Sequence, residues 1–200
     1  VLFYNAAALK CGASRMKQDY QFAGLYDLRL KVAQKGELCH INEYLYTEIE
    51  HDNRKSGAKI FDYVDPKNRA VRDAIKSVLA QETNFKFNLI IIDNHSTDGT
   101  TEAIKEFAGD DRLIHLIPER KDLGIGGCWN AGVHHPKCGK FAVQLDSDDV
   151  YSGPDTLQKI VNAFYEQNCA MVVGTYMMTN FNMEMIAPGI IDHKEWTPEN

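Results

Sequence analysis

Two clusters of side chains have the types and spacing to do chemistry. The apolar-rich run Phe141-Ala142-Val143-Gln144-Leu145 ends abruptly in Asp146-Ser147-Asp148-Asp149. A second such run, Phe87 to Ile92, ends in Asp93-Asn94-His95-Ser96-Thr97-Asp98-Gly99-Thr100. The first run predicts a buried strand, and the second a parallel strand covered on both faces. Loops at the carboxyl ends of such strands are where ligands sit in α/β sheets. Carboxylates crowded there repel one another unless a cation or hydrogen-bond donors hold them. Hard oxygen ligands suit Mg²⁺ or Mn²⁺, and such an ion often completes its shell with substrate phosphates. The plainer alternative is an acidic turn in which Asp148 or Asp149 caps the next helix. One Asp after a strand is ordinary. Two strands ending this way, with the Gly-rich loop Pro118 to Gly127 between them, predict a site.

Strands and helices must alternate to place both acidic ends on one sheet edge, and the pattern supplies that alternation. Val71, Ala74, Ile75, Val78 and Leu79 fall at helical spacing and predict a helix from Ala70 to Gln81. Further helices are expected at about 100–107, where Thr97 or Asp98 can cap the start, at 128–133 and at 154–167. Further strands are expected at 113–117 and 170–176. The fold class is therefore α/β, a Rossmann-like, mostly parallel sheet with flanking helices. Before it lies a block with a short strand at 1–4 and a helical pattern from Gly24 to Lys35-Gly36. Strand-like Glu37 to Ile41 and Leu45-Tyr46 follow, then the polar segment 51–57. The turn Asp65-Pro66-Lys67-Asn68-Arg69 marks a boundary, dividing the chain into 1–66 and 67–200.

Composition narrows the partners. Of 200 residues, 44% are hydrophobic and 25% charged, which is ordinary for a globular protein. A net charge of -6 argues against nucleic acid or a basic membrane surface. No apolar run is long enough to span a bilayer. The five cysteines include no CxxC pair, which favours reduced thiols over disulfides or structural zinc. The expected location is cytoplasmic or at the inner membrane face, with membrane association only through segments not in this sequence. His134-His135 lacks partners at ligand spacing and is expected to be a solvated loop pair.

The residues also carry a resemblance. Asn88 through Thr100 resembles the first signature of family-two glycosyltransferases, inverting enzymes with the A-type glycosyltransferase fold. Leu145-Asp146-Ser147-Asp148-Asp149 is similar to the family's DxD element. Val71 to Gln81 is similar to its first helix, and Asn130-Ala131-Gly132 keeps its spacing to the DxD element. The resemblance covers about 70–180. It implies a nucleotide-sugar donor, most often a UDP-sugar, and a glycan or lipid-linked acceptor. Asp93 and Asn94 would meet the base, Asp146 the ribose or the metal, and Asp148 the metal, which would be Mg²⁺ or Mn²⁺. Asp98, Gly126 and Asn130 are further donor-side candidates, with Gly124 to Gly127 letting backbone approach. Arg120 and Lys121 are expected to be solvated charges.

This sequence departs from the family pattern in three places. Asn94 stands where a second acid is usual, and Asn can still hydrogen-bond a base edge. The strand that the family places just before its first helix is absent, since Pro66 and Asn68 leave no room for it. The segment 22–46 resembles the family's acceptor half, but its Glu-Asp pair would fall at Gly24-Leu25. That leaves Asp27 as the candidate base, against pairing with Arg29 or Arg15. The order, acceptor half before donor half, is expected of a fragment across tandem transferase domains or of a rearranged domain, the fragment being favoured. Two other functions share the acidic site: a silent nucleotide-sugar or glycan-binding module, and a sugar nucleotidyltransferase.

Overall fold

In a computed structural model of the chain, residues 2–5, 36, 38–49, 68–180 and 182–192 are described. The elements in chain order are β1 (Leu2–Asn5), β2 (Leu38–Ile49), α1 (Arg69–Leu79), β3 (Leu89–Ile92), α2 (Thr100–Lys105) and β4 (Leu113–Leu116). They continue with α3 (Gly124–Val133), β5 (Phe141–Val143), β6 (Asp149–Tyr151), α4 (Thr156–Gln167), β7 (Met171–Thr179) and β8 (Met185–Ile191). The helical pattern expected at 24–35 lies outside the described residues.

The apolar stripe of α1 is the predicted one: Val71, Ala74, Ile75 and Val78 are buried. Asn68 enters the helix in the left-handed conformation at φ 51. Its Nδ2 donates to the carbonyl of Asp98 at 3.2 Å, which ties the start of α1 to the loop after β3. Arg72 then forks onto Glu106 just past α2, with contacts of 2.8 and 2.6 Å. Val71 and Ile75 pack with Ala103 and Ile104 of α2, and Leu89 and Ile91 of β3 join them. Period-two alternation sends Ile90 and Ile92 to the opposite face, where Gly132 of α3 lies close to Ile92.

A larger core forms around α4. Its buried stripe of Leu157, Ile160, Ala163 and Phe164 meets Leu45 and Tyr46 of β2 and Val172 of β7. Phe164 stacks on Phe141 with ring centroids 4.6 Å apart. Gly174 permits this closeness, because a Cβ there would lie 2.7 Å from Leu45 Cδ1.

The strands make two sheets among the described residues. One has the order β5-β1-β7-β2-β6 with β8 also on β7; the other is β3-β4. β3-β4 and β2-β7 are parallel, and β1-β5, β1-β7, β2-β6 and β7-β8 are antiparallel. The α/β class stands with flanking helices, but the sheet is mixed rather than mostly parallel, because β1, β6 and β8 pair antiparallel with their neighbours. Strands from both sides of residue 66 therefore share one sheet.

Several elements differ from the sequence pattern. Leu38 to Ile49 is one long strand with two register shifts, rather than two short ones. Asp149 to Tyr151 is a strand because it pairs with Tyr46 to Glu48, a partner about a hundred residues away that local pattern cannot reveal. Asp149 accordingly does not cap the next helix; Asp155 occupies that position. α3 begins at Gly124, four residues before the expected start, because its glycines read as loop while their lack of Cβ lets the turn close on Leu123.

Leu45→Ala tests the docking of β2. Leu45 is fully buried, so the substitution should cost about 3 kcal/mol in urea unfolding. An unchanged midpoint would mean that β2 does not pack on α4.

Candidate donor site at the strand ends

The turn after β3 is held by a buried carboxylate. Asp93 has a fully buried side chain. Its Oδ1 accepts the backbone N–H of Ser96 at 2.8 Å, and its Oδ2 accepts the hydroxyl of Thr101 at 2.5 Å. His115 Nε2 of β4 lies 3.2 Å from the same Oδ2 and donates to it, since an ionised carboxylate can only accept. Burial pushes this carboxyl up, but the hydrogen bonds from Thr101, Ser96 and His115 together win and hold it at about 2. Asp93 is therefore anionic, with its oxygens committed to the fold.

Asn94 and His95 follow from that anchor. His95 adopts the left-handed conformation at φ 62, which is uncommon outside glycine. Its Nε2 donates to the carbonyl of Pro118 at 2.7 Å. The reversal presents Asn94 to a cavity of about 1170 Å³. Asn94 Oδ1 is buried there with no hydrogen-bond partner among the described residues. A buried acceptor left unsatisfied costs about 1–3 kcal/mol, so a ligand N–H placed against it would recover that cost.

The acids after β5 line the same cavity: Asp146, Ser147 and Asp148 all border it. Asp146 is exposed, and its Oδ1 accepts from Gln144 Nε2. Asp148 is half-buried. Burial, and after it the charge of Asp146, pushes its carboxyl above the ordinary aspartate value against a backbone hydrogen bond. Asp149, by contrast, is buried in β6. Among the described residues no group of three or more His, Cys, Asp or Glu could hold a metal ion. Two carboxylates with an open side nevertheless fit Mg²⁺ or Mn²⁺, which usually take one or two protein carboxylates plus water and substrate phosphates.

The other predicted residues divide. Asn130 of α3 borders the cavity, while its carbonyl accepts the N–H and Nδ1 of His134 at 3.1 and 2.9 Å. Gly126 lies in the first turn of α3 but is not among the residues bordering the cavity. Asp98 is exposed and accepts the N–H of Thr100 at 3.1 Å. Arg120 pairs with Asp122 at 2.9 Å on the surface. Asp27 lies outside the described residues. The sequence pattern does not point to Thr101, His115 or His95. Their partners sit 8 to 23 positions away, so no local motif marks them. Cys128 and Trp129 also line the cavity, and the pattern marks them only as part of a short helix.

The family model described as "Glycosyl transferase family 2" matches residues 67–190. The chain is 29% identical over 108 residues to TuaG of Bacillus subtilis, named as a putative teichuronic acid biosynthesis glycosyltransferase, covering 54% of this chain and 42% of that protein. It is 32% identical over 112 residues to EpsE of the same organism, named as a putative glycosyltransferase, covering 55% and 39%. It is 26% identical over 110 residues to the glycosyltransferase GlyA of Streptococcus pneumoniae, covering 55% and 15%. The matched stretch spans less than half the length of these relatives. No solved structure matches the chain. Among the described residues no helix is long and apolar enough to cross a membrane.

The two aspartates should respond oppositely to substitution. Asp93 is depressed from 3.8 to about 2 in the fold, so its stabilisation is present above the unfolded value and is lost as pH falls through the folded one. Asp93→Asn should cost about 2 kcal/mol at pH 7 and progressively less in acid. Asp148 is raised above 3.8, so its ionisation destabilises the fold as pH rises through that raised value. Asp148→Asn should therefore raise the melting temperature at neutral pH and leave it unchanged below the ordinary aspartate range. Melting curves of both variants across pH check the signs.

Proposed function

The chain belongs to glycosyl transferase family 2, and we propose that it carries the donor site of a transferase using a nucleotide-sugar with Mg²⁺ or Mn²⁺. The sugar passes, with inversion, to a hydroxyl of a glycan or lipid-linked acceptor. One observation carries this reading: an unsatisfied buried amide oxygen, Asn94 Oδ1, and the carboxylates of Asp146 and Asp148 border the same cavity. A nucleoside diphosphate is polar at two places, with hydrogen-bonding base edges at one end and phosphate oxygens at the other. A uridine base offers an imide N–H to Asn94, which supports a UDP-sugar. The name of TuaG, with its teichuronic acid biosynthesis, supports a polysaccharide product.

The residues present divide the work. Asp93, tied to Thr101, Ser96 and His115, fixes the turn that aims Asn94. Asn94 orients the base. Asp146 and Asp148 would hold the metal, and the bound ion would neutralise charge developing on the leaving diphosphate. The acceptor oxygen attacks the anomeric carbon opposite the departing diphosphate and gives its proton to a base. Asp27 is the sequence candidate for that base.

Calorimetric titration with UDP tests the donor assignment. Binding should require Mn²⁺ or Mg²⁺, and Asp148→Asn should weaken it by more than about tenfold. Asn94→Ala should weaken UDP while leaving metal-dependent pyrophosphate binding intact. Equal binding of UDP without metal, or by the Asp148→Asn variant, would sink the proposal.

A further inference from the structure

Pairing between β3 and β4 does not stop where the strands stop. The last main-chain bond of the ladder runs from Asp93 N to Leu116 O at 2.9 Å. Two residues further on in each segment, His95 Nε2 donates to the carbonyl of Pro118 at 2.7 Å. A side chain thus supplies the next link after main-chain pairing has ended. Proline has no N–H of its own, so Pro118 cannot return a main-chain bond to the turn.

The turn holds His95 at φ 62. The left-handed region is costly for any residue with a Cβ, though His, Asn and Asp enter it more readily than most. Four residues on, the same loop meets its other positive φ with a glycine, Gly99 at φ 90. Glycine at 95 would make the turn without the cost, but it has no ring to reach Pro118. The bond therefore offsets the strain, and strain held in this way by its surroundings points to a functional site.

One residue lies between the two links, and it is Asn94. Its Oδ1 is buried with no hydrogen-bond partner among the described residues, so the backbone on either side sets its direction. Asp93 fixes the near side through Ser96, Thr101 and His115. His95 ties the far side to the loop after β4. That loop runs on through the Arg120–Asp122 pair to Gly124, where α3 begins. Gly124 and Ile125 border the same cavity as Asn94, whereas His95 does not border it.

We propose that His95 is a positioning residue for the donor base: its bond to Pro118 holds the left-handed turn that aims Asn94 Oδ1. The ring touches neither base nor metal and acts through Asn94. This inference rests on the reading of Asn94 as the base contact, and adds that base affinity depends on a side chain outside the cavity. Removing the ring relieves strain and loses a hydrogen bond at once, so the fold is little affected while the aim of Asn94 is lost.

Calorimetric titration of the full chain with UDP and Mn²⁺, and separately with pyrophosphate and Mn²⁺, tests it. His95→Gly removes both the ring and the strain. His95→Asn keeps a residue suited to the left-handed turn, but its amide nitrogen falls one atom short of the imidazole Nε2. Both variants should bind UDP more than about fivefold more weakly, bind pyrophosphate within about twofold of the parent, and melt close to it. In an Asn94→Ala background, His95→Gly should bring no further loss of UDP affinity, because the residue it positions is gone. Either variant binding UDP as tightly as the parent, equal losses of UDP and pyrophosphate, or the same loss in both backgrounds would overturn the inference and leave the donor site standing. A parent chain that binds no UDP, or an Asn94→Ala variant that binds it as the parent does, would remove the donor-base reading and this inference with it.

Discussion

The site depends on one buried carboxylate. Asp93 joins three elements at a point: its own strand β3, α2 through Thr101 and β4 through His115. A buried charge with too few partners would be costly, whereas one that accepts three hydrogen bonds is a firm anchor. Asn94 comes next in the chain, and the left-handed His95 pinned to Pro118 completes the reversal. The residue that looks most like a ligand contact thus serves as a brace, and its neighbour faces the cavity.

The opposite wall works by tension rather than by satisfaction. Asp148 is pushed towards its neutral form by burial and by Asp146. A group raised in this way costs stability at neutral pH, and a cation with its own water and phosphate ligands would relieve that cost. Bracing on one side and strain on the other is the arrangement expected where a ligand completes the structure. The apolar depth beneath is of a different character, with main-chain edges that find no strand partner among the described residues in place of charged side chains.

Much of the fold and of the site is legible in the sequence. The helix stripe Val71, Ala74, Ile75, Val78 is buried as its spacing requires, and Asn94 after β3 borders one cavity with Asp146 and Asp148 after β5. The family resemblance is confirmed by the family model. What local pattern cannot carry depends on long-range pairing. β6 exists because Tyr46 to Glu48 lie beside it, and β2 is an interior strand because β6 and β7 pair on its two edges. His115 carries no local mark as a partner of Asp93, since only the parallel register of β3 and β4 brings them together. The glycines before Cys128 read as loop by propensity, and tertiary packing on β3 overrides that preference.

The central claim is that one ligand spans Asn94 and the Asp146–Asp148 pair. A crystal structure of the chain with UDP and Mn²⁺, with data collected at the manganese absorption edge, tests it most directly. The anomalous peak should lie between Asp148 and the diphosphate, with the base edge hydrogen-bonded to Asn94. A manganese peak away from both carboxylates, or a base that leaves Asn94 Oδ1 without a partner, would contradict it.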